Sequence, residues 1–301
     1  MNRLRNEQDD AEFKPISLAR RISCYKIPKA ENRPRAGPHV RGKFRTMAYS
    51  PDTRTYRASA ATSAAVLDEG LRAYMLRVFN WMASGLLLTG IVAYGISHTA
   101  LMNAFYPAVM TQSGALVRQP SGLAFIAMIA PLGFVMVLSF GVNKLSKTAA
   151  QSLFWAFCAL MGASLTSIFL IYTQTSIVEV FFITAATFAA VSLYGYTTKA
   201  DLSRFGSFLI MGLIGVVIAS VVNIFLQSTM MQFAISVIGV LVFTGLTAYD
   251  TQRIKADYVQ FGYSFGPEMA AKRSVYDALG LYLNFVNLFM MLLQLMGNRR
   301  S

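Results

Sequence analysis

The chain has 301 residues, of which 55% are apolar and only 14% charged, well below the roughly 25% charged residues of an ordinary soluble domain. With a mean hydropathy of +0.47, this balance argues against an ordinary soluble domain and points to a bilayer protein, with the decisive signal in the local apolar runs. The formal net charge of +13 is unevenly placed: residues 1–46 carry twelve Lys/Arg against five Asp/Glu, and the other 255 residues carry fifteen against nine.

Residues 1–46 contain Pro15, Pro28, Pro34 and Pro38 and show no apolar periodicity, so disorder is expected. They lack the apolar core of a secretory signal, and Glu7, Asp9, Asp10 and Glu12 argue against a transit peptide. Met47 opens Met-Ala-Tyr-Ser-Pro-Asp, so residues 1–46 read either as a disordered basic tail or as an upstream mis-start. Residues 47–77 form a polar N-terminal segment that ends in a short amphipathic stretch near Leu67–Leu76.

A membrane domain then fills 78–298. Uncharged or nearly uncharged runs reach the roughly 18 residues needed to cross hydrocarbon, and we place seven spans. They are Val78–Ser97, Leu123–Val142, Ala150–Tyr172, Ile177–Tyr196, Phe205–Leu226, Phe233–Tyr249 and Ala278–Met296. These runs are too long and too uniformly apolar for barrel strands, and an open sheet leaves its backbone unsatisfied in lipid. The fold class is therefore an all-α integral membrane bundle of seven helices.

Short-loop charges set the orientation. With the N-terminus cytoplasmic, the loops 143–149, 197–204 and 250–277 hold Lys144, Lys147, Lys199, Arg204, Arg253, Lys255, Lys272 and Arg273. The opposite loops hold only Arg118. Arg299 and Arg300 dissent, because an odd number of spans places them outside; a re-entrant segment would return them to the cytoplasmic side. Small residues four apart (Ala185 and Ala189, Ala186 and Ala190, Gly215 and Ala219) suit close helix packing in lipid. Pro131 interrupts the ladder of the second span.

The polar residues within the spans are few, and intramembrane ionisable groups are expensive and usually functional. Asp250 closes the sixth span. It is either a working group of the bundle or a helix-end carboxylate paired with Arg253 or Lys255. Glu179 starts the fourth span, where it serves an ion path or simply suits a helix N-terminus. Asn223, Asn284 and Asn287 are the supporting polar groups, and Asn284 and Asn287 share a helix face. Catalysis is not expected. A Tyr-Asp pair in a late span is one half of an intramembrane aspartyl protease, but Gly280-Leu281-Tyr282-Leu283-Asn284 offers Asn where that chemistry needs a second carboxylate. HExxH and Gly-x-Ser-x-Gly motifs are absent. Cys24 and Cys158 form no CxxC, and His39 and His98 lie outside the spans, so no zinc, thiol or cofactor chemistry is expected.

Asp201-Leu202-Ser203, Val222-Asn223-Ile224-Phe225 and Ser236-Val237-Ile238-Gly239 lead into Tyr249-Asp250-Thr251-Gln252. The last span reads Ala278-Leu279-Gly280-Leu281-Tyr282-Leu283-Asn284-Phe285-Val286-Asn287-Leu288-Phe289. In order and spacing these segments resemble the transmembrane Bax inhibitor motif family in its bacterial form, over about residues 70–298. The resemblance implies six helices around a central seventh and a pH-sensitive calcium leak in the bacterial inner membrane. It also implies a proton-sensing pair of aspartates on the sixth and seventh spans. The first aspartate falls on Asp250 and the second on Asn284, a departure from the Leu-Asp-Phe common in the family. Glu179 matches an acidic position of the fourth span. The basic latch implied beside the first aspartate has Lys144 and Lys147 as its nearest candidates. Asn at 284 donates a hydrogen bond to an ionised Asp250, and the site loses one hard anionic oxygen that suits calcium. Asp250 remains the candidate calcium contact. The resemblance also implies a second class of function, a regulator that binds and restrains a membrane protease or another partner without conducting ions. No nucleic-acid partner is expected, and neither the ion nor the oligomeric state is read from the residues.

Overall fold

The computed structural model describes residues 53–110, 114, 116–141, 146–261 and 266–300. The tail at 1–46, the start at Met47 and the latch candidate Lys144 lie outside the described residues. The described elements are α1 (Thr53–His98), α2 (Leu101–Phe105), β1 (Ala108–Met110), β2 (Leu116–Arg118), α3 (Gly122–Gly141), α4 (Lys147–Leu165), α5 (Ile168–Ile171), α6 (Gln174–Thr197), α7 (Ser203–Leu226), α8 (Thr229–Phe261) and α9 (Pro267–Met296). The strands form a small antiparallel hairpin that pairs Val109 with Val117, a feature that hydropathy does not foretell.

Among the described residues six stretches are long and apolar enough to cross a bilayer. They are Val66–His98, Lys147–Ile171, Gln174–Thr197, Ser203–Leu226, Thr229–Phe261 and Glu268–Met296. The expected second span falls on α3, whose apolar part Gly122–Val137 is shorter. Helix ends follow local chemistry rather than the hydrocarbon boundary. Ser146 caps α4 by accepting the Ala149 N–H at 3.2 Å, and Thr173 caps α6 through the Ser176 N–H at 3.4 Å. Asp201 accepts the Ser203 N–H at 3.0 Å just before α7, which holds its carboxyl below the usual range. Gln227, in the left-handed region at φ 50°, ends α7. Pro267 opens α9, where its missing N–H costs nothing.

The loop expected at 250–277 is largely helix. Helix α8 continues to Phe261 and α9 begins at Pro267, so Arg253, Lys255, Lys272 and Arg273 ride on helical extensions. Charges end a hydropathy window, but Lys and Arg are good helix formers and do not end a helix. For the same reason α1 starts at Thr53, inside the expected polar segment 47–77.

Helix α9 packs against α1, α4, α6 and α8, and half of its apolar window is buried, the largest share of the six. Val78, Phe154, Phe157, Leu281 and Tyr282 are fully buried where α1, α4 and α9 meet. Thr89 pins this meeting: its Oγ1 lies 2.9 Å from the Gly85 and Cys158 carbonyls and 2.7 Å from the Tyr282 hydroxyl. A second cluster, including Val216, Phe243, Leu246 and Leu288, fills the space between α7, α8 and α9.

The close helix approach falls elsewhere than the small-residue pairs suggested. Ala186, Ala189 and Ala190 are exposed, and Gly215 has open space where a Cβ would stand. Tight crossings are instead at Gly195, where a Cβ would overlap the Ala248 backbone, and at Gly162, where it would meet the Thr89 carbonyl. At the other end of the bundle the chain clips its own C-terminus. Thr173 donates to the Asn298 carbonyl at 3.0 Å, Arg300 to the Ile171 carbonyl at 2.9 Å, and Asn298 to the Ser176 hydroxyl at 2.9 Å. Arg299 and Arg300 therefore sit at the α5–α6 junction, at the opposite end of α9 from the α8–α9 connection.

Candidate functional site

Helices α8 and α9 run antiparallel, and the seam between them holds the candidate group. Asn284 donates from Nδ2 to Asp250 Oδ2 at 2.7 Å. The other carboxylate oxygen takes Arg253 at 3.1 Å, with the Asp250 side chain 14% exposed and that of Arg253 48%. Arg253 comes from one turn along α8, because residues three apart share a helix face, and its guanidinium also lies 5.9 Å from the Tyr249 ring centre. Asp250 thus has the helix-end cation of one reading and, in addition, a partner on α9. Each carboxylate oxygen therefore has its own donor, one from each helix of the seam.

The same seam carries a second tier that the sequence reading missed. Asp257 lies seven residues after Asp250, and Asp277 seven before Asn284. In an antiparallel pair this spacing brings them to one level, two helical turns on. Arg273 bonds Asp257 at 2.5 Å, and the Tyr74 hydroxyl donates to Asp277 Oδ2 at 2.6 Å. The Tyr74 and Tyr258 rings stack at 4.8 Å. The signal was available as matched seven-residue spacings, but reading 250–277 as loop hid it.

The other candidates lie apart from Asp250. Glu179 is exposed on the first turns of α6. Since Gly195 of α6 abuts Ala248, Glu179 stands about 24 Å along the bundle from the Asp250 level. Asn223 belongs to the opposite end too, where it bonds Gln232 at 3.0 Å and accepts the Ser228 N–H at 3.1 Å, closing the α7–α8 turn. Gln232 continues to Gln294 at 2.5 Å, and Ser236 joins at 2.9 Å. Asn287 is half-buried and takes no part in the Asp250 bond. Lys147 is exposed at the start of α4 with no ion pair among the described residues, and the cation on Asp250 is Arg253.

Polar groups therefore gather at the two ends of the α8–α9 seam, with Phe243, Leu246 and Leu288 closing the stretch between. Among the described residues no three His, Cys, Asp or Glu side chains come together as metal ligands. Asp250 faces an amide and a guanidinium, not the oxygen cage that a resident calcium ion requires.

Comparison with known proteins adds family to geometry. Residues 71–301 match the family described as inhibitor of apoptosis-promoting Bax1. An uncharacterized protein of Rickettsia prowazekii is 45% identical over 234 residues, covering 78% of this chain and 93% of the relative. The inner membrane protein YbhL of Escherichia coli is 45% identical over 232 residues, covering 77% and 94%. An uncharacterized protein of Caulobacter vibrioides is 42% identical over 235 residues, covering 78% and 92%.

Proposed function

The chain belongs to the Bax inhibitor family of multi-pass membrane proteins, and from that premise we propose that it is a calcium-permeable leak of the bacterial inner membrane, controlled at the contact between Asp250 and Asn284. In this reading α3 is the seventh span and α9 is the central helix. The N-terminus and the α8–α9 connection are cytoplasmic, as the loop charges favour, and the C-terminal clip lies outside.

The observation that carries the proposal is the 2.7 Å bond from Asn284 to Asp250, one ionisable group held across a helix seam by a donor from each side. In this closed arrangement Arg253 and Asn284 occupy the carboxylate, and Phe243, Leu246 and Leu288 fill the seam beyond it. A passing cation replaces the two donors transiently; calcium is cargo here, not a resident ligand. Protonation of Asp250 removes its ion pair with Arg253 and turns the charge-assisted bond from Asn284 into a neutral one, roughly half as strong. Asp257 and Asp277, with Arg273 and Tyr74, form the entry to the same seam.

Calcium flux against pH in liposomes tests this with the native protein, Asp250→Asn and Asn284→Asp. The native protein conducts, Asp250→Asn flattens the pH response, and Asn284→Asp moves the transition towards neutral pH, because two adjacent carboxylates share one proton. An unchanged pH profile in Asp250→Asn removes Asp250 from control. Absence of flux from folded native protein instead favours the regulator that binds a membrane protease or another partner.

A further inference from the structure

A long apolar groove lies between α1 and α6, with α9 beneath it. It consists of two hollows of about 760 Å³ and 710 Å³ that share Leu86, Leu87, Phe181 and Phe285. The first extends to Arg72 on α1 and Tyr196 on α6, and the second to Gly95 and Gln174. From Arg72 to Gly95 the helix rises about 35 Å, so the groove runs the full depth of a hydrocarbon layer of about 30 Å. Its floor is Phe285 of α9, 4% exposed, and its rim includes the exposed Leu76, Leu87 and Leu193. A trough of this kind, opening sideways into hydrocarbon, suits an alkyl chain.

The two ends differ. At the Gln174 end the polar groups are satisfied, with Gln174 Nε2 2.8 Å from His98 Nε2. At the other end they are not. Arg72 is exposed and forms no ion pair among the described residues; Asp68 and Glu69, one turn before it, lie beyond ion-pair reach. Lys255 of α8 reaches Tyr196, which lines this same end: its ammonium is 2.7 Å from the Tyr196 carbonyl and 4.8 Å from the Tyr196 ring centre, which leaves two of its three N–H groups for another acceptor. Ser192 lines the groove one turn deeper, 4% exposed, and its Oγ has no hydrogen-bond partner. Elsewhere in this bundle helical hydroxyls bond back to the carbonyl four residues earlier, as Thr184, Thr197, Ser220 and Ser236 do. Ser192 does not, and its hydroxyl remains for a guest.

We propose that the groove between α1 and α6 binds an anionic phospholipid. The phosphate lies against Arg72 and Lys255, Ser192 donates to an ester oxygen one helical turn below, and an acyl chain passes Ala185 and Ala189 towards Phe285. Ala185 and Ala189 are small because a chain, not a helix, lies against them. This site rests on the membrane setting alone and stands whether or not the protein conducts ions.

Native mass spectrometry of the full-length chain, delipidated in detergent and titrated with phosphatidylglycerol or phosphatidylcholine, tests the site. The native protein holds phosphatidylglycerol in preference. Arg72→Gln lowers that preference about fivefold, the factor expected for one basic side chain beside anionic lipid. Ala189→Phe fills the groove and removes both adducts, whereas Ile214→Phe, on the lipid-facing side of α7, retains them. Thermal unfolding of each variant establishes that it is folded, and Arg72→Gln, at an exposed position, decides the headgroup contact independently of the filled groove. Equal retention of the two lipids by the native protein overturns the proposal. So does undiminished phosphatidylglycerol binding by Ala189→Phe or an unchanged preference in Arg72→Gln.

Discussion

Thr89→Val and Tyr282→Phe separate the two halves of one buried contact, and the structure ranks their costs. Thr89 is 5% exposed and Tyr282 fully buried, and their hydroxyls lie 2.7 Å apart. Thr89 has one proton and two carbonyls at 2.9 Å to receive it, so the satisfied arrangement has Tyr282 donating to Thr89. Thr89→Val leaves the Tyr282 O–H buried without an acceptor, a cost of about 1–3 kcal/mol. Tyr282→Phe removes the donor, while the Thr89 proton keeps its carbonyl, and costs about 0.5–1.5 kcal/mol. Interhelical hydrogen bonds within membranes average near 0.6 kcal/mol, so both values should fall in the lower parts of their ranges with their order kept. The double variant should cost less than the sum of the single ones. Unfolding free energies from denaturant titration in mixed micelles measure all four corners of the cycle. If Tyr282→Phe costs as much as Thr89→Val, or if the cycle is additive within about 0.3 kcal/mol, the assignment of donor and acceptor is wrong.

Gly195→Ala should destabilise by about 1–3 kcal/mol through overpacking, because the new methyl meets the Ala248 backbone. Gly239→Ala should cost less, since its neighbour is the flexible end of Met291; thermal unfolding in one detergent compares the two. Tyr74→Phe removes the 2.6 Å bond to Asp277 and should destabilise by about 1.5 kcal/mol, the low end for a bond to a charged acceptor because the pair is only part-buried; equal melting temperatures for variant and native protein would count against that bond. A reporter fused in the 262–265 connection should be cytoplasmic and one fused after Gln227 external, and reversal of either defeats the charge-bias orientation.

The apolar runs were legible because crossing hydrocarbon demands length and the absence of charge, and both are written residue by residue. The ends of the helices were not, because Arg253 and Lys272 stop a hydropathy window without stopping a helix. The contact between Asp250 and Asn284 followed from resemblance, but the second tier required knowing that α8 and α9 extend far enough to carry Asp257 and Asp277, each with its own partner, beyond it. Asn223 read as a supporting polar group because it is polar within a span; what it supports, the α7–α8 turn five residues on at Ser228, needed the structure. Ala185 and Ala189 show the deeper limit. A small side chain records that something comes close, but not whether it is a neighbouring helix or a hollow.

The most buried of the six described crossing helices is made after the other five. Until residues near Met296 have been made, Asp250 lacks its amide partner and Thr89 lacks the Tyr282 hydroxyl, and polar groups left without partners in hydrocarbon are costly. Docking of α9 supplies both partners at once, and the bonds of Asn298 and Arg300 hold its far end. A prematurely terminated chain would display those unpaired groups to the lipid, giving membrane quality control a chemical mark by which to tell unfinished protein from finished.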